Sequence, residues 1–256
     1  MRRRHWPQLL AAVLTAACSG APPSTSAPTE TTAPHDDPPP PPAVTTSPVE
    51  VYVAIGGSDT VGVGAGDPAS QAWPRVFARL GLPPDAQVVN LGISGATVAE
   101  ALDRQVPEAL RRDADLVTVW LNVNDLLAGV PPAVYERRLG ELVQALRAGG
   151  GPRVLIANTP PVDLLPAYVD CRARPGCLGG DLPEPSLVQF AVAAYNAAIA
   201  RVAAAAGAEV VDLHAAGVAA HAEGRTRQLV GSDGFHPSTA GHRAVAEAFA
   251  AVLARR

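Results

Sequence analysis

The most constraining feature of this chain is a run in its middle, Asp115-Leu-Val-Thr-Val-Trp-Leu121, almost unbroken in β-branched and apolar side chains. A strand with one wet face alternates apolar and polar residues; a strand without a polar face is buried on both sides, as in a parallel sheet covered by helices. Four other stretches read as strands of the same kind: Val49 to Ile55, Gln87 to Leu91, Arg153 to Ala157 and Glu209 to Leu213. Helical patterns separate them, at Trp73 to Leu80, Thr97 to Arg112, Pro132 to Ala148, Ser186 to Ala206 and Ser238 to Arg255. Pro107 is expected to bend or split the second of these. Gly149-Gly150-Gly151 ends the third, and Asn158 to Pro185 reads as a loop. Strands alternating with helices imply an α/β fold, a three-layer α/β/α sandwich around a mostly parallel central sheet. No internal repeat is evident.

The globular part does not begin at residue 1. Arg2, Arg3 and Arg4 precede a mostly apolar stretch from Pro7 to Ala17, too short to span a bilayer, and this reads as a secretory signal. Leu14-Thr15-Ala16-Ala17-Cys18 resembles a bacterial lipobox, with Cys18 as the lipidated residue; Thr15 is an unusual choice there, and plain secretion is the alternative. Residues 19–48 are rich in Pro, Ser, Thr and Ala, bury too little apolar surface to fold, and read as a disordered tether. Residues 49–256 remain as one large domain. The expected location is therefore outside the cytoplasm, as an envelope lipoprotein or a secreted protein, with membrane contact only through the anchor.

Charge and cysteines narrow the chemistry. A net charge of −4 offers nothing to a nucleic acid. Every basic residue apart from histidine is an arginine, which together with the abundant alanine reads as genomic base composition. With Cys18 lipidated, Cys171 and Cys177 are left as a close pair in an oxidising compartment, where a disulfide persists. Zinc is the competing use, but no histidine lies near them at ligand spacing.

In such a sheet, chemistry gathers at the carboxyl ends of the strands. The first strand runs into Gly56-Gly57-Ser58-Asp59-Thr60-Val61-Gly62, a glycine-flanked turn that can present a serine hydroxyl. It completes no dinucleotide fingerprint, and it lacks the lysine of a P-loop. The second strand ends in Asn90-Leu-Gly-Ile-Ser-Gly-Ala-Thr97, whose backbone amides near a helix start suit a developing negative charge. The third ends in Asn122-Val123-Asn124-Asp125, where an asparagine amide can donate to an oxyanion. Near the C-terminus, Asp233 precedes His236 by three residues in a Gly- and Pro-bounded turn, so the carboxylate can orient an imidazole that accepts a proton from serine.

These four segments, in this order, resemble the SGNH branch of the GDSL esterase/lipase superfamily. The resemblance spans essentially residues 49–256 and implies a flavodoxin-like sheet and a serine ester hydrolase. It makes Ser58 the nucleophile and Asp233 and His236 its partners. Ser58 and Gly95 would supply backbone donors to an oxyanion hole and Asn124 a side-chain donor, with no metal or organic cofactor required. Trp73-Pro74 and Tyr195-Asn196 also look like positions of that family. Gly57 stands where the family has Asp, and Asn122 where it has Gly; Asp59 is the nearby carboxylate that would brace the first turn instead.

The remaining polar residues have plainer readings. Asp125 reads as a structural hydrogen-bonder beneath the site, Asn90 and Ser94 as turn residues, and His242 as a surface or packing residue of the last helix. His214 and His221 have no partner pattern. Trp73 and Trp120 read as core aromatics, Trp73 with some access to the cleft. The loop holding the cysteines follows a strand end and is the expected specificity element. The expected substrate is a small-molecule, lipid or carbohydrate ester, and the expected state a monomer. A carbohydrate O-acetyl esterase or acyltransferase, and a non-catalytic binding lipoprotein on the same scaffold, are the alternatives.

Overall fold

The computed structural model describes residues 48–174, 177 and 182–255; the expected signal, Cys18 and the tether up to residue 47 lie outside them. Five strands form one sheet: β1 (Val51–Gly56), β2 (Gln87–Asn90), β3 (Leu116–Trp120), β4 (Arg153–Ala157) and β5 (Glu209–Val211). Their order is β2-β1-β3-β4-β5 and every pairing is parallel. This is the α/β/α architecture expected from the alternation.

Period-two geometry divides the central strands between two cores. Val53, Ile55, Val117, Val119, Val154 and Ile156 face one side. They pack on three helices, α4 (Val98–Arg104), α7 (Pro132–Arg147) and α9 (Pro185–Ala206). Tyr52, Ala54, Leu116, Trp120, Leu155 and Ala157 face the other side, against α3 (Trp73–Gly81) and α12 (Thr239–Leu253). There Trp73 stacks on Phe249 with centroids 4.4 Å apart and is fully buried, so it belongs to the core and has no access to a cleft. Thr118, the one polar residue of β3, bonds the Tyr52 hydroxyl at 2.8 Å in the same layer.

The break expected at Pro107 is present, and other connections differ from expectation for local reasons. Pro107 splits the second helix into α4 and α5 (Val106–Leu110), because proline fits the first turn of a helix but not its interior. Short helices α1 (Ser58–Val61), α2 (Pro68–Gln71) and α6 (Val123–Leu127) occupy stretches where no helix was expected. They are too short to show a 3.6-residue period. The Asn158 to Pro185 segment is not simply a loop: it contains α8 (Pro166–Arg172), started by a proline in its first turn. Beyond β5, α10 (Leu213–Ala222) and α11 (Thr226–Leu229) lead back to the sheet's carboxyl end.

With β1 flanked by β2 on one side and β3 on the other, successive connections leave β1 in opposite directions. The carboxyl end of β1 is therefore a topological switch point, where α/β sheets open a crevice.

Candidate active site

Ser58 is the first residue of α1, directly after the end of β1. Its Oγ lies 2.9 Å from His236 Nε2, and His236 Nδ1 lies 2.5 Å from Asp233 Oδ2. A hydroxyl and an imidazole 178 positions apart in the chain are thus in line with a carboxylate, the geometry that a nucleophile, base and orienting carboxylate require. Asp233 Oδ1 also accepts from the backbone amides of Phe235 at 2.9 Å and His236 at 3.0 Å, so the carboxylate holds its own turn as well as the ring. Burial would raise the Asp233 carboxyl; the hydrogen bonds from His236 and the two amides outweigh it, and the group titrates below its ordinary value. A carboxylate kept ionised in this way can stabilise an imidazolium.

The residues expected as oxyanion donors come from three strand ends. Ser58 opens α1, Gly95 sits in the exposed turn between β2 and α4, and Asn124 lies on α6 just past β3. Among the described residues neither the Ser58 nor the Gly95 amide donates to another protein group. Asn124 Nδ2 donates to the Ala96 carbonyl at 3.0 Å, which ties the side chain to the Gly95 turn and leaves its second N–H available. A β-carbon on Gly57 would come within 2.9 Å of that same Nδ2, so the glycine lets the first turn lie against Asn124.

Three groups that sequence reading missed hold these pieces in place. Gln105, buried between α4 and α5, donates to the Gly56 carbonyl at 3.1 Å and accepts from the Gly56 amide at 2.9 Å. It braces the first turn; Asp59, expected in that role, lines a cavity instead. Gly64 packs its backbone against Pro237. Thr239 Oγ1 accepts from the Gly66 amide at 2.8 Å, joining the serine loop to the start of α12. None of these carries a motif signal, since each is defined by what it touches across the chain.

Other expectations resolve individually. Asn90 bridges the Thr60 carbonyl (2.6 Å) and the Gly92 amide (2.9 Å), pinning the glycine turn to α1. Asp125 is fully buried beneath the site and caps α4 through the Val98 amide at 2.9 Å, with burial pushing its carboxyl up to about 6. Asn122 donates to the Ala157 carbonyl at 3.2 Å, linking the ends of β3 and β4 rather than facing solvent. Asn196 brackets Thr159, accepting from its amide at 2.7 Å and donating to its carbonyl at 3.1 Å. His242 is wholly buried, not a surface residue: Nδ1 accepts from the Trp73 amide at 3.3 Å and Nε2 donates to the Val63 carbonyl at 3.1 Å. Burial lowers its pKa, consistent with a neutral ring in this role.

Cys171 and Cys177 form a disulfide. Cys171 lies on α8, whose Ala167 amide donates to the Gly234 carbonyl at 2.9 Å, so the cysteine segment touches the Asp233 turn directly. Among the described residues no His, Cys, Asp and Glu side chains converge as a metal site would require.

Over residues 54–244 the sequence matches the GDSL-like Lipase/Acylhydrolase family. This chain belongs to that family. An arylesterase of Vibrio mimicus is 30% identical to it over 115 residues, which cover 44% of this chain and 57% of that relative. The match thus spans little more than half the length of the curated relative. Among solved structures, Axe2, an acetylxylan esterase from Geobacillus stearothermophilus, superimposes with a TM-score of 0.63 at 21% identity, over 82% of this chain and 97% of that one. A lipase/acylhydrolase from Enterococcus faecalis gives 0.60 at 21% identity, over 79% and 94%. At these identities the likeness is one of fold. By its description the family is one of lipases and acylhydrolases. Within that family its Gly57 and Asn122 are departures, and both are accommodated by the contacts described above.

Proposed function

We propose that the protein is a serine esterase that works through an acyl-enzyme on Ser58. Ser58 Oγ attacks the ester carbonyl while His236 Nε2 takes its proton, and Asp233 holds the ring and stabilises the imidazolium. The tetrahedral oxyanion is held by the Ser58 and Gly95 amides and the Asn124 side chain. His236 then returns the proton to the departing alcohol oxygen. Water, deprotonated by the same histidine, attacks the acyl-serine and releases the acid. The observation that carries this reading is the Ser58–His236–Asp233 line at 2.9 and 2.5 Å.

The substrate class we favour is a short acyl or aryl ester, since the curated relative is an arylesterase. A second reading, carbohydrate O-acetyl ester hydrolysis, is favoured by the fold shared with an acetylxylan esterase. We also propose export of the chain, with lipidation at Cys18, on the strength of the arginine-led leader and the lipobox-like residues before it; mass spectrometry of the mature N-terminus tests this. The test of function is hydrolysis of p-nitrophenyl and acetylated-sugar esters by the full chain beside Ser58→Ala. Turnover abolished in a folded variant supports the reading, and unchanged turnover overturns it.

A further inference from the structure

The residue after the nucleophile is an aspartate whose surroundings do not suit it. Asp59 lines a cavity of about 150 Å³ at the carboxyl end of the sheet, closed by β3, α10 and the His236 turn. Trp120, Val123, Leu165, Leu213 and Phe235 are among its walls, and among the described residues Asp59 is the only charged side chain in the lining. Ser58 and His236 do not line it, but their chain neighbours Asp59, Phe235 and Pro237 do, which places it next to the site.

A carboxylate in apolar surroundings needs a charge partner or it resists ionisation. Burial raises the Asp59 carboxyl to about 6, with His236 opposing that rise and Asp233 adding to it; no arginine contributes. The chain's nearby arginines lie elsewhere. Arg174 and Arg227 line another cavity of about 540 Å³ that includes Asp233, where Arg227 is already paired with Asp170. The smaller cavity therefore combines a carboxylate without an arginine partner, two aromatic side chains and an apolar wall. Aromatic faces attract cations, and a desolvated carboxylate binds them more strongly than an exposed one. The space is large enough for a small ammonium group.

We propose that this cavity binds a cationic ammonium group carried by the ester substrate, with Asp59 as its counter-ion. The proposal rests on the serine-esterase reading and adds a substrate class to it: esters bearing a positively charged nitrogen within a few bonds of the carbonyl. The ammonium can belong to the alcohol or to the acyl part, since the cavity is lined by the chain neighbours of both Ser58 and His236.

Two substrate pairs separate these sources. Acetylcholine against 3,3-dimethylbutyl acetate places the charge on the alcohol, and ethyl β-alaninate against ethyl butyrate places it on the acyl part. The full chain should show a kcat/KM ratio of at least about tenfold for the cation in one pair, a difference of about 1.4 kcal/mol. Asp59→Asn and Asp59→Leu should bring that ratio close to one. A wild-type ratio at or below one in both pairs, or a ratio unchanged in Asp59→Asn, overturns the proposal; Ser58-dependent turnover of the neutral esters would leave the esterase reading standing. Equilibrium binding of butyltrimethylammonium and its neutral isostere decides the matter even without turnover. Selective binding of the cation, lost in Asp59→Asn, supports the proposal, and equal binding or none refutes it.

Discussion

The backbone of Gly64 passes so close to Pro237 that a β-carbon at residue 64 would lie 2.2 Å from the Pro237 carbonyl oxygen. Gly64 also has φ +94, a region that side chains rarely adopt. This contact brings the loop that follows Ser58 against the turn that carries His236. The obstructing atom is backbone and cannot rotate aside, so Gly64→Ala should force the two loops apart. The expected result is a loss of kcat of at least tenfold with stability lowered by about 1–3 kcal/mol, checked by kinetics and urea unfolding. Wild-type kcat in this variant would show that the contact is not what sets the Ser58–His236 distance.

Asn124→Ala removes the side-chain donor while leaving the backbone amides of Ser58 and Gly95. Its kcat should fall by roughly a hundred- to a thousand-fold with little change in KM, the signature of a bond made only in the transition state. An unaltered kcat would remove Asn124 from the oxyanion site.

Gln105→Ala deletes both bonds to Gly56 and leaves its buried amide without a partner, while its carbonyl keeps the Ile93 amide. A loss of about 1–3 kcal/mol in unfolding free energy is expected, read from denaturant titration at constant m. Gln105→Glu at high pH should be no better, because an ionised carboxylate can accept from the Gly56 amide but cannot donate to its carbonyl.

Asp125 supplies a pH prediction with a definite sign. Burial raises its carboxyl from the ordinary 3.8 to about 6, so between those values the folded chain holds a proton that the unfolded chain has released. Its contribution to stability is complete below pH 3.8 and is lost as pH rises to about 6, up to about 3 kcal/mol. His242 acts in the opposite sense: its lowered pKa costs stability as pH falls below 6.5. Asp125→Asn, which can still accept from the Val98 amide, should therefore gain stability relative to wild type as pH is raised from 4 to 7. A pH-independent difference between the two proteins would contradict this.

The Cys171–Cys177 disulfide closes a short loop beside the Asp233 turn. Replacing both cysteines by serine should cost about 2 kcal/mol and alter KM across a panel of esters more than kcat. An identical substrate profile in the double variant would show that the α8 segment takes no part in selecting substrate.

Much of the site was legible in the sequence because its chemistry travels in short motifs. Ser58 with its glycines, Gly95, Asn124 and the Asp233–His236 spacing each read locally, and the strand run at Asp115 to Leu121 placed them at the exits of a parallel sheet. What stayed hidden were residues defined by distant partners. Gln105 bonds Gly56 across 49 positions and His242 reaches Val63 across 179, and neither has a local signature. The short helices α6 and α8 were missed for a related reason: one or two turns give no periodicity, and their ends are set by packing.

By itself the sequence determined the layer architecture, the chemical types at the strand exits and their order, because side-chain periodicity and turn chemistry act over a few residues. Only the tertiary structure decided which serine meets which histidine, that Asp59 faces a cavity instead of bracing a turn, and that His242 is a buried strut. Those outcomes depend on the strand order β2-β1-β3-β4-β5 and on which loops it brings within van der Waals contact. Contacts of that range follow from the closing of the whole chain on itself, and no local stretch encodes them.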